Sequence, residues 1–296
     1  MLLVLDVGNS NTVLGVFEQV VGFNAESPRY ARLVAHWRVT TLRNQTVDEY
    51  GVLFRNLFSM AGIQAVTVRG IVISSVVPPL DSTLREVCEK YFGCKPLFIE
   101  PGVKTGMAVH YDNPAEVGAD RIVNSVAAFE KYGGPCIAVD FGTATTFDVI
   151  SAKGEYLGGV IAPGIGISAD ALFQRTARLP RVDVRKPSRI IGSNTVGSLQ
   201  SGLYYGYLGL VDGIIARLLA EIPGAHVVAT GGLASLIAEG SKYITAVDEL
   251  LTLEGLRIVW ERQSAGPRRK SDAAAPSSGT ANSSPPRPVS VHKRPS

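Results

Sequence analysis

The chain has 296 residues, 46% of them hydrophobic, enough to bury a sizeable core and to favour two domains over one. Its formal charge of +3 resides in the stretch from Ser264 onward, where Arg268, Arg269, Lys270, Arg287, Lys293 and Arg294 face Asp272 alone; the remainder is net acidic, which argues against a nucleic-acid partner. Cys88, Cys94 and Cys136 form no C-x-x-C pair and His36, His110, His226 and His292 are scattered, so neither a disulfide framework nor a zinc site is indicated.

The chain opens on an apolar run, Leu2 to Leu5, that reads as a buried strand ending in Asp6-Val7-Gly8-Asn9-Ser10-Asn11-Thr12. The turn should lead into a second strand over Thr12 to Phe17. A third, Arg32 to Val39, alternates apolar and polar residues, with His36 on one face. Thr46-Val-Asp-Glu49 has capping-box spacing and Val47, Tyr50, Leu53, Leu57 and Met60 follow at helical intervals, so a helix begins there. Gly70 to Val77 is an apolar strand closed by Pro78-Pro79. A helix over about Leu80 to Phe92 and a strand over Lys95 to Ile99 complete the first half.

Pro101 to Pro114 reads as a connection, and a helix over Arg121 to Phe129 opens the second half. There the opening motif returns: the apolar run Cys136 to Val139 leads into Asp140-Phe141-Gly142-Thr143-Ala144-Thr145-Thr146 and a strand over Thr146 to Ser151. One D-x-G turn is an ordinary hairpin. Two copies matching at Asp, Gly and the final Thr point to a pair of turns offering N–H groups and hydroxyls to phosphate oxygens, with a carboxylate at the base of each to hold a cation. A strand (Tyr156 to Ile161) and a helix (about Ser168 to Ala177) follow. The longest helix candidate, Asn194 to Ile222, carries Gly197, Gly202, Gly206 and Gly209, which we expect to permit close backbone packing, with a subunit interface as one site for it. Val227 to Ala234 reads as a strand, a Gly231-Gly232 turn and a helix start, a third place where backbone can approach a nucleotide. The tail is rich in Ser, Pro, Ala and Arg and is expected to be disordered. The N-terminus has no basic leader and no segment has 18 uninterrupted apolar residues, so a soluble, cytoplasmic protein without membrane contact is expected.

Together these features predict an α/β duplication closing on a central nucleotide cleft. Several fragments also occur in a recognisable order: Asp6-Val-Gly8-Asn9-Ser10, Thr46-Val-Asp48-Glu49-Tyr50, Ile73-Ser-Ser75-Val-Val77-Pro78, Tyr111-Asp-Asn113-Pro114, Gly118-Ala119-Asp120-Arg121 with Asn124, Asp140-Phe-Gly142-Thr143, Gly158-Gly159 with Pro163-Gly164, and Ile191-Gly192-Ser-Asn194-Thr195. In these the chain resembles the type III pantothenate kinases of the actin-like, sugar-kinase and Hsp70 ATPase superfamily, over about residues 1 to 260. The departures are a longer stretch at Val20 to Tyr30 and the tail beyond Gln263. The resemblance implies duplicated actin-like, ribonuclease H-like halves at 1–116 and 117–263, with the tail at 264–296.

It also implies transfer of the ATP γ-phosphate to the primary hydroxyl of pantothenate in a homodimer. Asp120 is then the base, with plain helix capping as the alternative. Arg121 is a fork for the pantothenate carboxylate, with a surface salt bridge as the alternative. Gly118 and Ala119 belong to the same acceptor motif, and Tyr111 and Thr195 complete the pocket, Thr195 from the partner subunit. Asp6, Val7, Gly8, Asn9, Ser10, Asn11, Thr12 and Val13 would hold the ATP phosphates, Asp6 with Mg²⁺. Thr143 would contact ATP and Asp140 a monovalent cation, K⁺ or NH₄⁺. Two rivals remain at this level: a regulatory protein that keeps the nucleotide cleft without transfer, and a sugar or acetate kinase of the same superfamily. Asp140-Phe141-Gly142 spells a protein-kinase motif, but the accompanying H-R-D, V-A-I-K and A-P-E motifs are absent, as is a P-loop.

Overall fold

The structure is a computed structural model that describes residues 1–19 and 30–264; the Val20 to Tyr30 stretch, up to residue 29, and the tail from residue 265 lie outside the described residues. Two five-stranded mixed sheets repeat one topology. In the first, β1 (Leu2–Val7), β2 (Asn11–Gln19) and β3 (Tyr30–Thr40) form an antiparallel meander, while β4 (Gly70–Ser75) and β5 (Leu97–Phe98) add parallel to β1, giving the order β3-β2-β1-β4-β5. In the second, β6 (Cys136–Phe141), β7 (Ala144–Ile150) and β8 (Tyr156–Pro163) form the meander, and β9 (His226–Gly231) and β10 (Ala246–Val247) complete the order β10-β9-β6-β7-β8. The hairpin repeat legible in the sequence is therefore the visible end of a whole-sheet duplication.

Both first strands are buried on two faces, which is why they read as unbroken apolar runs. Leu3 and Leu5 of β1 face α1 (Val47–Met60) and α2 (Pro78–Phe92), whose Tyr50, Phe54, Phe58, Leu80 and Leu84 are buried. Thr46 caps α1 with the full capping box, its hydroxyl accepting from Glu49 N–H while the Glu49 carboxylate accepts from Thr46 N–H. Pro78 and Pro79 open α2 rather than merely closing the strand before it, since the first turn of a helix needs no N–H from them. Leu2 and Val4 point the other way, into a middle layer made by α3 (Ala119–Tyr132) and α7 (Leu251–Ser264). Val123, Val126, Leu251, Leu256 and Val259 meet Ala138, Ile150 and Val228 of the second sheet there. On the far side of that sheet lie α4 (Ile165–Arg175) and the 27-residue α5 (Thr195–Glu221), with Tyr204, Tyr207, Val211 and Ile215 buried. The short α6 (Ala234–Ala238) follows β9.

Among the described residues the α5 glycines expected to allow close packing do not serve it within one chain: no atom lies within 4 Å of a Cβ built at Gly202, Gly206 or Gly209, and Gly197 meets only Asn194 and Gly192 beside it. Within the chain a close crossing is made by α3 and α7, where a Cβ at Gly255 would stand 2.2 Å from the Val123 carbonyl oxygen. By length and composition α5 alone among the described helices could cross a bilayer.

Candidate active site

Each hairpin turn is closed by a glycine N–H, Gly8 donating to Asn11 O at 3.0 Å and Gly142 to Ala144 O at 3.1 Å. The turns differ in length. Asp6 faces Val13 and Val7 faces Thr12 in the first hairpin, whereas Asp140 faces Thr146 and Phe141 faces Thr145 in the second. The first turn is one residue longer, so the structural counterpart of Thr12 is Thr145, not Thr146 as the ungapped sequence match had it. Both are buried and point away from the cleft: the Thr12 hydroxyl meets that of Thr41 at 2.9 Å, Thr41 donates to Gly8 O at 2.7 Å, and Thr145 Oγ1 lies 3.4 Å from Tyr207 Oη. Thr12 thus fixes the turn instead of offering a donor to a ligand, and Val7 is a core residue.

A cleft of about 610 Å³ opens over both turns. Of the residues singled out in the sequence, Asp6, Gly8, Asn9, Ser10, Asn11 and Val13 line it from the first hairpin, and Asp140 and Thr143 from the second. Gly118, Asp120 and Arg121 line it from the start of α3. Val7, Thr12, Ala119, Tyr111 and Thr195 do not. The Tyr111 ring stands 6.3 Å from that of Tyr156, and Thr195 sits exposed at the first turn of α5.

At the start of α3, Asp120 Oδ1 accepts from the Arg121 N–H at 2.8 Å, and burial holds its carboxyl above the usual range. Arg121 is only 7% exposed, so it is no surface salt bridge. Its Nε donates to Asp148 Oδ1 at 2.7 Å; the Tyr156 hydroxyl donates to the same oxygen at 2.9 Å. Arg121 Nη2 lies 2.7 Å from that oxygen but off the line of a hydrogen bond, leaving a buried nitrogen with no hydrogen-bond partner among the described residues. Burial raises the Asp148 carboxyl to about 6 against the opposing pull of Arg121. The arrangement is a guanidinium fixed by Asp148 at Nε with donor capacity left unspent.

Asp6 and Asp140 stand at equivalent positions of the two sheets. Asp140 Oδ2 accepts from Asn124 Nδ2 at 3.1 Å, and Asn124 in turn accepts from Thr252 Oγ1 at 2.7 Å, tying the site to α3 and α7. Burial first, then the Asp120 charge, pushes Asp140 up to about 7; burial, Asp120 and Asp140 push Asp6 well above its ordinary value. Three carboxylates therefore share a cleft in which each disfavours ionisation of the others. No group of three or more His, Cys, Asp or Glu that could hold a metal ion by itself occurs among the described residues.

A profile of the type III pantothenate kinase family matches residues 2–217. The chain belongs to that family. It is 72% identical over 271 residues to a type III pantothenate kinase of Koribacter versatilis, covering 91% of this chain and 98% of the relative. Identity to those of Myxococcus xanthus and Acidobacterium capsulatum is 58% and 55%, covering 90% and 92% of this chain and 100% and 98% of theirs. Among solved structures the fold matches a putative Baf family transcriptional activator from Campylobacter jejuni (TM-score 0.53, 21% identity, 88% of this chain and 98% of that one). It also matches a putative 2-dehydro-3-deoxygalactonokinase from Sinorhizobium meliloti (TM-score 0.53, 12% identity, 93% and 100%). These two likenesses concern the fold alone.

In this type III pantothenate kinase the cleft also contains residues that sequence reasoning passed over. Arg38 of β3 and Ile161 of β8 line it, as do Glu116, Asp170 and Glu249. The available signal was the alternation along β3, which places Arg38 on one face with His36 and Val34. What could not be read was which face looks into the cleft.

Proposed function

We infer that this cleft is where the chain, as a type III pantothenate kinase, transfers the γ-phosphate of ATP to the primary hydroxyl of pantothenate, the first step toward coenzyme A. The observation that carries the assignment is the convergence of an acceptor pair, Asp120 and Arg121, with two facing hairpin turns in one cavity. The turns supply N–H groups and hydroxyls to the phosphates. Asp120, partly buried with a raised pKa, accepts the hydroxyl proton. Arg121, held by Asp148 and lining the cleft, turns its remaining donors to the pantothenate carboxylate. Gly231 and Gly232, also on the cleft wall, let backbone come close to the nucleotide.

Mg²⁺ and a monovalent cation fit the donor set. With no protein-only cage, Mg²⁺ would be shared between Asp6 and the phosphates, its usual mode of binding. K⁺ or NH₄⁺ would sit at Asp140. Either ion would neutralise phosphate charge and return the raised carboxyls toward ionisation.

A homodimer fits the surface of the second half. Ile167, Leu172, Phe173, Ile190, Ile191 and Val196 are all 40–78% exposed, and the α5 glycine stripe is uncovered. A second copy on this face would bury them and bring Thr195 of one subunit toward the cleft of the other. A cytoplasmic setting suits the three free cysteines. Against a purely regulatory protein stands the acceptor pair, which a nucleotide sensor does not need. A coupled ADP-release assay with pantothenate, sugars and acetate, run in K⁺, NH₄⁺ or Na⁺, tests the reading: pantothenate-dependent turnover is expected, and turnover with a sugar or acetate instead would replace it.

A further inference from the structure

We propose that Arg38 is the cation that grips the terminal phosphates of ATP, a role that rests on reading this cleft as the nucleotide site. Its position follows from strand register. Arg38 pairs with Val13 and Val13 with Asp6, so Arg38, Val13 and Asp6 lie in one transverse row on the same face of the first sheet. Two strand spacings, about 9–10 Å, separate the backbones at the ends of that row. The side chain between them is the short, apolar Val13. All three line the cleft.

The guanidinium reaches the opposite wall. Arg38 Nη1 stands 3.1 Å from where a Cβ would be on Gly232, in the turn between β9 and α6, so the arginine lies against bare backbone there. Among the described residues it makes no hydrogen bond and no ion pair, and its five N–H donors are unspent. The carboxylates that feel its charge are Asp6 and Asp140, the two at the bases of the hairpin turns.

The duplication sharpens the assignment. In the second sheet the matching row runs Asp140, Thr146, Ile161, which places Ile161 where the first sheet has Arg38. Both rows face the same cavity, yet only one ends in a cation. The other arginine of the cleft, Arg121, is committed to Asp148 on the acceptor side. Arg38 is therefore the free fork on the hairpin side, and charge-assisted, bidentate bonding to phosphoryl oxygens is what such a fork does best. A chain without a P-loop lysine gains from it a fixed positive charge where charge builds up during transfer.

The test compares wild type with Arg38→Met, which keeps length and loses charge, and Arg38→Lys, which keeps charge and loses the fork. ATP and AMP are titrated with Mg²⁺ and K⁺ present and binding is read by protein NMR, and kcat and KM are measured with pantothenate. Arg38→Met should weaken ATP binding at least about tenfold more than AMP binding and lower kcat/KM for ATP by roughly 10²–10³; Arg38→Lys should fall between. Because Arg38 is exposed and unpaired, retained AMP binding certifies the fold. Equal losses for ATP and AMP, or none, would overturn the proposal. Failure of the kinase reading is separable: wild type would then bind ATP without pantothenate-dependent turnover, and the ATP-against-AMP comparison would still decide the role of Arg38.

Discussion

The hydroxyls of Ser10 and Thr143 meet at 2.9 Å, joining the tips of two hairpin turns that are 133 residues apart in the chain. Both residues are exposed on the cleft wall, and each currently satisfies the other. A phosphate entering between the turns can take over both hydroxyls, exchanging one internal bond for two to the ligand. Ser10→Ala and Thr143→Ala should then each leave stability within about 1 kcal/mol of wild type while lowering kcat/KM for ATP roughly three- to tenfold, the worth of one hydrogen bond. Thermal melts beside kinetics at varied ATP check this. A large loss of melting temperature with unchanged kinetics would make the contact a structural clasp.

The Arg121–Asp148 pair calls for the opposite pattern. Asp148 is fully buried and accepts from Arg121, Tyr156 and Thr146. Removing it leaves a largely buried guanidinium without its counter-ion. Asp148→Ala should cost about 3–5 kcal/mol, on the order of 10 °C in Tm for a chain of this size, and should raise KM for pantothenate as Arg121 loses its anchor. A melting shift within about 2 °C would show that the pair contributes little.

Asp140 sets a pH dependence of determinate sign. Its folded pKa of about 7 lies above the ordinary 3.8, so the folded state binds the proton more tightly than the unfolded chain does. Its contribution favours folding below the unfolded value and is lost as pH rises toward 7, because ionising the buried carboxyl then opposes folding. In buffer free of K⁺, Mg²⁺ and nucleotide, Asp140→Asn should melt higher than wild type at pH 8, with the gain shrinking as pH falls toward 4. The same variant should lose the stimulation of turnover by K⁺ or NH₄⁺. Melts across pH 4–8 provide the measurement, and a gain that grows as the solution is acidified would contradict it.

How far the sequence could be read depended on whether the signal was local. The capping box at Thr46 and the doubled apolar run with D-x-G are complete within a few residues, and both the helix and the two hairpins stand where expected. Thr12 was matched to Thr146 because a sequence comparison counts residues, whereas strand register shows that one turn holds an extra one. The helix α7 escaped notice because Leu251, Leu253 and Gly255 alternate like a strand, and its glycine, a weak helix former, serves a backbone crossing with Val123. The glycines of α5 raised the same expectation for a face that touches nothing in this chain. Arg38 shows the deeper limit: alternation puts it on one face of β3, but only the packing of the sheets makes that face a cleft wall.

Thr195, at the first turn of α5, stands exposed outside the cleft of its own chain, as does Tyr111. Apolar residues surround that turn, Ile190 and Ile191 at 63% and 78% exposed and Val196 at 41%. If a second copy covers this face, Thr195 of one subunit completes the acceptor pocket containing Asp120 of the other. Asp120→Asn alone should lower kcat by roughly 10²–10⁴ with nucleotide binding retained, and a bulky replacement of Thr195 should block pantothenate entry. Mixing the two inactive variants under conditions of subunit exchange makes heterodimers in which one pocket carries both lesions and the other neither. By two-fold symmetry, up to about half of wild-type activity per heterodimer should return. Exchange verified by mass spectrometry without recovery would mean that each pocket is built within one chain.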